Sequence, residues 1–364
     1  MGYKNFRFVL DPTLYFPNLK PQGDKLSLHL NENAYAPPED CLVMTSSLPG
    51  LSLNNYERNG TLSLESKLAQ IHGLSGDQIL IDNGSSEVLK NLFLAMTQKG
   101  DMVLFPSNGW AYNQKIAHLQ ELTVAYYELR CDETLHNYSF DIANMKRLIH
   151  ESSPAVILIT SPNAFTGNLI TSTELCELLD ICRGKTMVIV DQAYTEYSYH
   201  DDIQMGSILN AYDNVIFSRT LSKFYALANL RIGYAISNKT IIEYIRHFSA
   251  VFGTSGVCQA IACKALENLD YYDRIKERNN AVKNSFISRM NSLTKFVAYH
   301  SESNFILVKL KGLEPQTVLE RVQIEGMILG SCRSYGLEQH IRITVGDDET
   351  MDRLFQVLAH LDKE

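Results

Sequence analysis

The central part of the chain alternates short apolar runs with stretches of helical periodicity. Between the apolar runs, residues 85–98 and 173–182 carry apolar side chains at the spacing of an amphipathic helix. The apolar runs are short and rich in β-branched residues, and we predict strands at 78–82, 101–105, 155–160, 186–191, 214–218 and 232–236. Nearly all-apolar strands separated by helices are typical of a sheet covered on both faces. The pattern therefore predicts an α/β domain with a mostly parallel central sheet.

The pattern changes near residue 270. A long helical stretch at 271–293 precedes two apolar strands, at 304–310 and 341–345, each followed by a helix. The last helix, at 347–361, begins with carboxylates, which the helix dipole favours at that end. These features indicate a smaller α+β domain. We predict three parts: an N-terminal segment that packs on the smaller domain, a large domain, and the smaller domain, at 1–45, 46–270 and 271–364.

Composition and charge narrow the function classes. The chain has 364 residues, a net charge of -8 and 45% hydrophobic residues, which is typical of a globular protein and argues against nucleic acid or an anionic membrane as partner. No apolar run approaches the roughly 20 residues that span a bilayer. The seven cysteines are scattered, which indicates free thiols in the cytoplasm, and neither they nor the histidines have metal-ligand spacing. We expect no metal site.

Polar segments follow the predicted strands at the points where these strands end. Such ends share one edge of a parallel sheet, where ligands bind. Each segment alone has an ordinary structural explanation, such as a helix cap or a surface lysine. Together they offer an anion site, an aromatic ring, an acid, a phenol, an amine and an arginine, which is the set that pyridoxal 5'-phosphate (PLP) requires. The segments are "NGSSE" (83–87), "PSNGWAY" (106–112), "SPNAFTG" (161–167), "DQAY" (191–194) and "SRTLSK" (218–223).

The same segments resemble those of the class I/II aminotransferases, which are PLP-dependent enzymes of fold type I. The resemblance covers nearly the whole chain and is strongest to the histidinol-phosphate aminotransferase branch. It is carried by "LHLNENAYAP" (28–37), by the polar segments above, by "RTLSKFYALANLRIGY" (219–234), by "SNFILVKL" (303–310) and by "IRITVG" (341–346). It implies a large PLP-binding domain, a smaller domain and a homodimer.

The resemblance implies the catalytic roles. Lys223 would bond to the PLP aldehyde and later carry the proton between the substrate Cα and the cofactor, for which its amine must lose its own proton. Asp191 would pair with the ring nitrogen, which keeps the ring able to accept electrons. Tyr194 would donate a hydrogen bond to the ring's 3-oxygen. These three residues, Lys223, Asp191 and Tyr194, are the predicted catalytic set.

The phosphate and the substrate have their own predicted ligands. Arg231 would clamp the phosphate, helped by hydroxyls and by a helix N-terminus, whose residues are Ser85, Ser86, Thr220 and Ser222. Tyr56 matches the tyrosine that the family lends to the phosphate of the neighbouring subunit. Arg342 matches the arginine that grips the substrate α-carboxylate through its planar fork. Arg333 matches more loosely an arginine used for the distal group of the substrate.

Three departures from the family pattern bear on the substrate. The asparagine that donates to the 3-oxygen is replaced by Ala164, and the proline after it by Phe165; Asn163 is a candidate for the lost donor. Gln192 replaces a glutamate. The aromatic residue that stacks on the ring is displaced, and we favour Trp110 over Tyr112 for this contact, a purely structural tryptophan being nearly as plausible.

Three functions stay open at this stage. The leading one is an aminotransferase that moves the amino group of an L-amino acid or amino-alcohol phosphate onto a 2-oxo acid. The second is a decarboxylase or lyase on the same scaffold, similar to the threonine-phosphate decarboxylases, because the two reactions differ mainly in which Cα bond stands perpendicular to the ring. The third is a non-catalytic protein that binds PLP or an amino acid.

Overall fold

The computed structural model describes residues 25–43, 62–251 and 253–364. Elements are numbered here along the chain within these ranges. A larger sheet of seven strands forms most of the first half. Its strands are β2 Ile79–Asn83, β3 Met102–Pro106, β4 Thr123–Tyr127, β7 Val156–Thr160, β8 Met187–Asp191, β9 Val215–Thr220 and β10 Ile232–Ile236. All six strands predicted in this region are present to within two residues, and the α/β prediction is confirmed.

The order of the larger sheet is β2-β10-β9-β8-β7-β3-β4. Every neighbouring pair is parallel except those of β10, which runs antiparallel to both β2 and β9. Because β10 is reversed, its first residue lies at the edge where the other strands end. Arg231, which immediately precedes β10, is thereby brought to the same edge as Asp191, the last residue of β8.

Helices cover both faces of the larger sheet. One face packs against α3 Gly84–Met96, α4 Ala111–Leu119 and α8 Lys239–Arg246. The other packs against α2 Leu62–His72, α5 Ile142–Ser152, α6 Ser172–Cys182, α7 Met205–Ala211 and α9 Gly256–Ala265. Helix α6 buries the predicted apolar face, and a capping box between Thr171 and Glu174 fixes its start. The α/β layering follows from strands that are buried on both sides.

A smaller sheet has the order β1-β13-β14-β12-β11. Its strands are β1 Leu26–Leu28, β11 Phe296–Ala298, β12 Phe305–Leu310, β13 Met327–Ser331 and β14 His340–Thr344. Its apolar cluster includes residues of α10 Leu269–Met290, α11 Pro315–Ile324 and α12 Asp348–Lys363. A separate hairpin, β5 Leu129–Asp132 and β6 Asn137–Phe140, belongs to neither sheet.

The N-terminal part of the described chain contacts both halves. Strand β1 pairs with β13 of the smaller sheet, whereas the short helix α1 Glu39–Val43 contacts α9 on the larger one. The segment between them, residues 29–38, therefore crosses the space between the two sheets. A further apolar cluster fills this space and includes Tyr194 from the larger half and Phe305 from the smaller half. The predicted site lies along this junction.

Candidate active site

Asp191 ends β8 as a buried carboxylic acid with one unpaired oxygen. Burial raises the pKa of its carboxyl to about 7, although a hydrogen bond from the backbone N–H of Ala193 opposes this rise. Among the described residues, its Oδ1 has no hydrogen-bond partner. A buried acceptor without a partner is costly, so the site is prepared for a donor that the described residues do not supply.

Lys223 lies in the turn after β9 and faces Tyr194. Its Nζ is 6.0 Å from the centre of the Tyr194 ring and donates a 2.7 Å hydrogen bond to the backbone oxygen of Leu30. Tyr197 donates from its hydroxyl to the backbone oxygen of Lys223, which fixes the turn. The structure thus brings two of the three predicted catalytic side chains together, and it adds Leu30 as a contact that was not predicted.

Arg231 and three serines surround the N-terminus of helix α3. The Arg231 guanidinium donates to Ser222 Oγ (3.4 Å) and to Ser86 Oγ (3.5 Å). Arg231 itself has a left-handed backbone, with φ of 54°. A Cβ on Gly84 would lie 2.4 Å from the guanidinium, and a Cβ on Gly233 would lie 2.2 Å from the Ser85 nitrogen. The two glycines therefore allow the arginine and β10 to approach the free N–H groups of the helix, which makes an anion cradle.

Thr220 has a local partner. Its hydroxyl donates to the backbone oxygen of Ile232 and accepts from the Ser222 backbone N–H, both at 3.1 Å. It thus shapes the turn that holds Ser222 and Lys223, and its predicted contact with the phosphate stays a prediction. Tyr56, the residue predicted to reach the neighbouring subunit, lies outside the described residues.

Arg342 projects from β14 into the junction between the halves. Its Nη1 donates to the Ala164 backbone oxygen at 2.8 Å and its Nη2 to the His29 backbone oxygen at 3.0 Å. The guanidinium lies over the rings of Phe165, at 4.9 Å, and Phe305, at 5.4 Å. Both terminal nitrogens of the predicted carboxylate-binding arginine are therefore paired with backbone oxygens, which a carboxylate would have to displace.

Arg333 and Trp110 each lie at the start of a helical element. Arg333 is exposed and begins a short 3-10 helix at 333–335, close along the chain to Tyr335, whose ring packs on Phe165 at 4.2 Å. Trp110 is half-buried before α4, and its ring lies 4.9 Å from that of Tyr112. Both rings pack against the apolar cluster under α3 and α4. The choice between them as the stacking residue stays a prediction.

Asn163, which precedes the departure at Ala164, and Gln192, which is itself a departure from the family pattern, are buried with half of their amide used. Asn163 Oδ1 accepts from the backbone N–H groups of Phe165 and Thr166, and Gln192 Oε1 accepts from Arg219 Nε. Within the described ranges, the Nδ2 of Asn163 and the Nε2 of Gln192 have no partner. Asn163 therefore has a free donor, although its amide is already anchored in the turn.

The segment 29–31 contacts the predicted chemical residues and was not expected to do so. The backbone oxygens of His29 and Leu30 accept from Arg342 and Lys223, and the side chain of Asn31 donates to the Tyr194 hydroxyl at 3.1 Å. Asn31 was not among the predicted site residues. Its only signal was its position in "LHLNENAYAP", because the contacts join residues that are 163 or more positions apart.

These features fit PLP. The unpaired oxygen of Asp191 is a partner for a protonated ring nitrogen, and the Arg231 cradle is a partner for a phosphate. The amine of Lys223 lies in the turn that carries Ser222, one of the cradle serines. In the described parts of the chain, no group of three or more His, Cys, Asp or Glu side chains is arranged to hold a metal ion, and no helix has the length and apolar character needed to cross a membrane.

Comparison with known proteins identifies the class. Residues 23–358 match the family described as aminotransferase class I and II, and the chain belongs to this family. The predicted class of enzyme, a PLP-dependent aminotransferase, is thereby confirmed, and so is PLP as its cofactor.

Individual relatives carry the resemblance further. Histidinol-phosphate aminotransferase 2 of Archaeoglobus fulgidus is 29% identical over 359 residues, which cover 98% of each chain. Among solved structures, the histidinol-phosphate aminotransferase of Sinorhizobium meliloti in complex with pyridoxal-5'-phosphate is similar, with a TM-score of 0.86 at 19% identity, covering 100% of this chain and 99% of the other. The L-threonine-O-3-phosphate decarboxylase of Porphyromonas gingivalis has a TM-score of 0.79 at 19% identity, covering 93% and 100%. Fold type I is confirmed, and the fold alone accommodates both reactions.

Proposed function

We propose that this enzyme transfers the amino group of an L-amino acid or amino-alcohol phosphate to a 2-oxo acid. The observation that carries the proposal is the meeting of Lys223, Tyr194 and Arg342 at one junction, where the segment 29–31 contacts all three. An amine beside a phenol and a carboxylate-binding guanidinium is what transfer at the Cα of an amino acid requires. The histidinol-phosphate aminotransferases at about 29% identity support the phosphorylated substrate class.

In this proposal each side chain has one task. Bound PLP supplies a ring that withdraws electrons from the substrate Cα. Asp191 would hold a proton at the ring nitrogen, and Tyr194 would donate a hydrogen bond to the 3-oxygen. Lys223 Nζ would first break its hydrogen bond to the Leu30 oxygen and would then take the proton from the substrate Cα. Arg342 exchanges its backbone acceptors for the two oxygens of the substrate carboxylate, which orients the Cα.

The cofactor phosphate would be held by Arg231, Ser86 and Ser222, with Ser85 and Thr220 at the rim. Arg231 is exposed in the single chain, which leaves room for a residue of a second subunit. We propose a homodimer in which Tyr56 of one subunit reaches the phosphate of the other, and a size measurement in solution tests the dimer directly.

We also propose that Trp110 stacks on the cofactor ring, that Asn163 contacts the cofactor and that Arg333 binds the distal group of the substrate.

The domain boundaries and the cellular compartment are also proposals. We keep a large domain at 46–270 and a smaller one at 271–364, supported by the two separate apolar clusters. The segment 1–45 is proposed to pack on the smaller domain through β1, which pairs with β13, whereas its helix α1 contacts α9 of the larger half. The cysteines of the described residues are free, which supports a cytoplasmic location.

The decisive experiment follows the absorbance of the purified enzyme as amino donors are added. We expect conversion of the bound cofactor to its amino form with at least one amino acid or amino-alcohol phosphate, and reversal with a 2-oxo acid. Lys223→Ala should abolish covalent attachment of the cofactor, measured by mass after borohydride reduction. Lys239→Ala, an exposed lysine of α8, is the matched control and should behave as the wild type.

Other outcomes would replace the proposal. Release of carbon dioxide without the amino form would make the chain a decarboxylase of the same fold. The absence of any spectral change with every donor would favour the non-catalytic binding protein. Covalent cofactor in Lys223→Ala would overturn the assignment of the lysine.

A further inference from the structure

Asn31 is a buried side chain held in one orientation. It is 1% exposed and has a left-handed backbone, with φ of 53°. Its backbone N–H donates to Thr344 Oγ1, and the same hydroxyl donates back to Asn31 Oδ1, both at 3.1 Å. Because the oxygen of the amide is taken by Thr344, the nitrogen points to Tyr194, where it donates to the phenol oxygen at 3.1 Å.

These bonds form a chain that ends at the phenol. The Thr344 hydroxyl donates to Asn31, and Asn31 donates to the Tyr194 oxygen. Since that oxygen accepts the bond, the phenol hydrogen remains available for another acceptor. Consecutive hydrogen bonds polarise one another, so a donor to the phenol oxygen makes the phenol itself a stronger donor.

Position 164, where the family pattern has an asparagine beside Tyr194, carries no side-chain donor. Ala164 has only a methyl group, and it lies in the apolar cluster with Tyr194 and Phe305. The neighbouring Asn163 has its amide oxygen anchored to two backbone N–H groups of the same turn. A cofactor oxygen at this place would therefore have two candidate donors, the Tyr194 hydroxyl and the unpaired Nδ2 of Asn163.

We propose that Asn31 is a positioning residue that acts on the cofactor through Tyr194 and offsets the loss of the amide at position 164. It fixes the Tyr194 hydroxyl and strengthens its hydrogen bond to the 3-oxygen of PLP. The inference rests on the proposed function, because that function supplies the role of Tyr194. It assigns to this chain an amide on the N-terminal segment in place of the one missing from the loop after β7.

The test is a pH titration of the absorbance of the lysine-bound cofactor. Donors to the 3-oxygen stabilise its negative charge and so promote loss of the proton that it shares with the lysine nitrogen. We therefore expect Asn31→Ala to raise the pH midpoint by about half a unit to one unit, the size of one net hydrogen bond. Asn31→Asp should raise it further, because a carboxylate accepts the phenol hydrogen and adds negative charge.

Two variants separate positioning from a general loosening of the segment. Asn33→Ala truncates an identical side chain whose amide bonds the Phe224 oxygen and the Tyr35 N–H instead, and its midpoint should stay at the wild-type value. Ala164→Asn should lower the midpoint and reduce the effect of Asn31→Ala when the two are combined.

The inference is overturned if Asn31→Ala leaves the midpoint unchanged, or if Asn33→Ala shifts it equally. Its failure differs from failure of the proposed function. If the wild-type protein shows no pH-dependent absorbance from a lysine-bound cofactor, the proposed function has failed. If it does show this absorbance and Asn31→Ala has no effect, only the role of Asn31 is lost.

Discussion

The two walls of the junction are prepared for ligands in opposite ways. The wall formed by the larger sheet, here called the cofactor wall, has buried polar atoms without partners in the described chain, on Asp191, Asn163 and Gln192. The wall formed by β14, the substrate wall, has both terminal nitrogens of Arg342 bonded to backbone oxygens. The cofactor wall therefore lacks partners until a ligand binds. On the substrate wall only the Arg342 Nε has no partner among the described residues, and the two terminal nitrogens have partners that a ligand must replace.

This difference has a thermodynamic meaning. An unpaired buried group lowers the stability of the empty protein, and a ligand that pairs with it recovers that free energy as affinity. A paired group stabilises the empty protein, and a ligand gains only the difference between two sets of bonds. The cofactor wall should thus favour tight binding, and the substrate wall should favour reversible exchange, as a reaction with a leaving product requires.

The largest expected effect is on the cofactor wall. The folded pKa of Asp191 is about 7, above the ordinary 3.8, so its contribution to stability is fully present below pH 4 and is lost as the pH rises through 7. Asp191→Asn should therefore stabilise the cofactor-free protein above pH 7, by on the order of 4 kcal/mol, with little difference near pH 4. The same variant should lower the transfer rate by at least about a hundredfold.

Denaturant unfolding of both proteins at pH 4 and pH 8 measures the first effect, and steady-state kinetics the second. Asp180→Asn, an exposed carboxylate of α6 that faces Arg183, is the matched control and should change neither quantity appreciably. A destabilised Asp191→Asn at pH 8 would contradict the description of this wall as unpaired.

The next effect is on the substrate wall and has the opposite sign. Arg342→Met keeps the unbranched stem of the side chain but removes the guanidinium, which leaves the oxygens of Ala164 and His29 without this donor. We expect the cofactor-free protein to lose about 2 kcal/mol of unfolding free energy. Arg333→Met, which alters an exposed arginine of the same domain, should lose less than about 0.5 kcal/mol. Equal stability of the wild type and Arg342→Met would remove the distinction between the walls.

The smallest effect concerns the edge of the phosphate cradle. Ser86 accepts a long, 3.5 Å bond from Arg231, so Ser86→Ala should leave the stability of the empty protein nearly unchanged. With PLP bound, it removes one hydroxyl donor, and the dissociation constant should rise about three- to tenfold. A fluorescence titration with PLP measures this change, with Ser207→Ala, an exposed serine of α7, for comparison. An unaltered dissociation constant would remove Ser86 from the cradle.

Much of the larger sheet was predictable because its strands are buried on both faces and read as continuous apolar runs. Strand β4 was missed because it is the edge strand and its side chains are mostly half-exposed. Strand β1 has three residues, and its partner Met327 lies 301 positions from Leu26, so no local pattern announces it. Strand β5 was missed because its side chains are mostly exposed, and β6 was missed because its alternation of buried and exposed positions covers only four residues.

The candidate site likewise has residues whose position could be predicted from the sequence and contacts that could not. Lys223, Asp191 and Arg231 follow strand ends or precede β10, so local sequence and sheet topology are enough to bring them to one edge. The bonds from Asn31 to Thr344 span 313 positions, and those from Arg342 to His29 span as many. Such contacts depend on how the N-terminal segment crosses between the sheets, which periodicity does not encode.

The reversal of β10 has one more consequence. Because β10 returns beside β9, a single loop between Thr220 and Ile232 carries both Lys223 and Arg231. Opening or lengthening the chain inside this loop would uncouple the amine from the guanidinium. Opening the chain in the exposed turn at 133–136 would leave the amine and the guanidinium on the same loop. In the proposed site, contact with both ends of the cofactor would thus depend on one loop, and Arg231 joins that loop to α3 through Ser86.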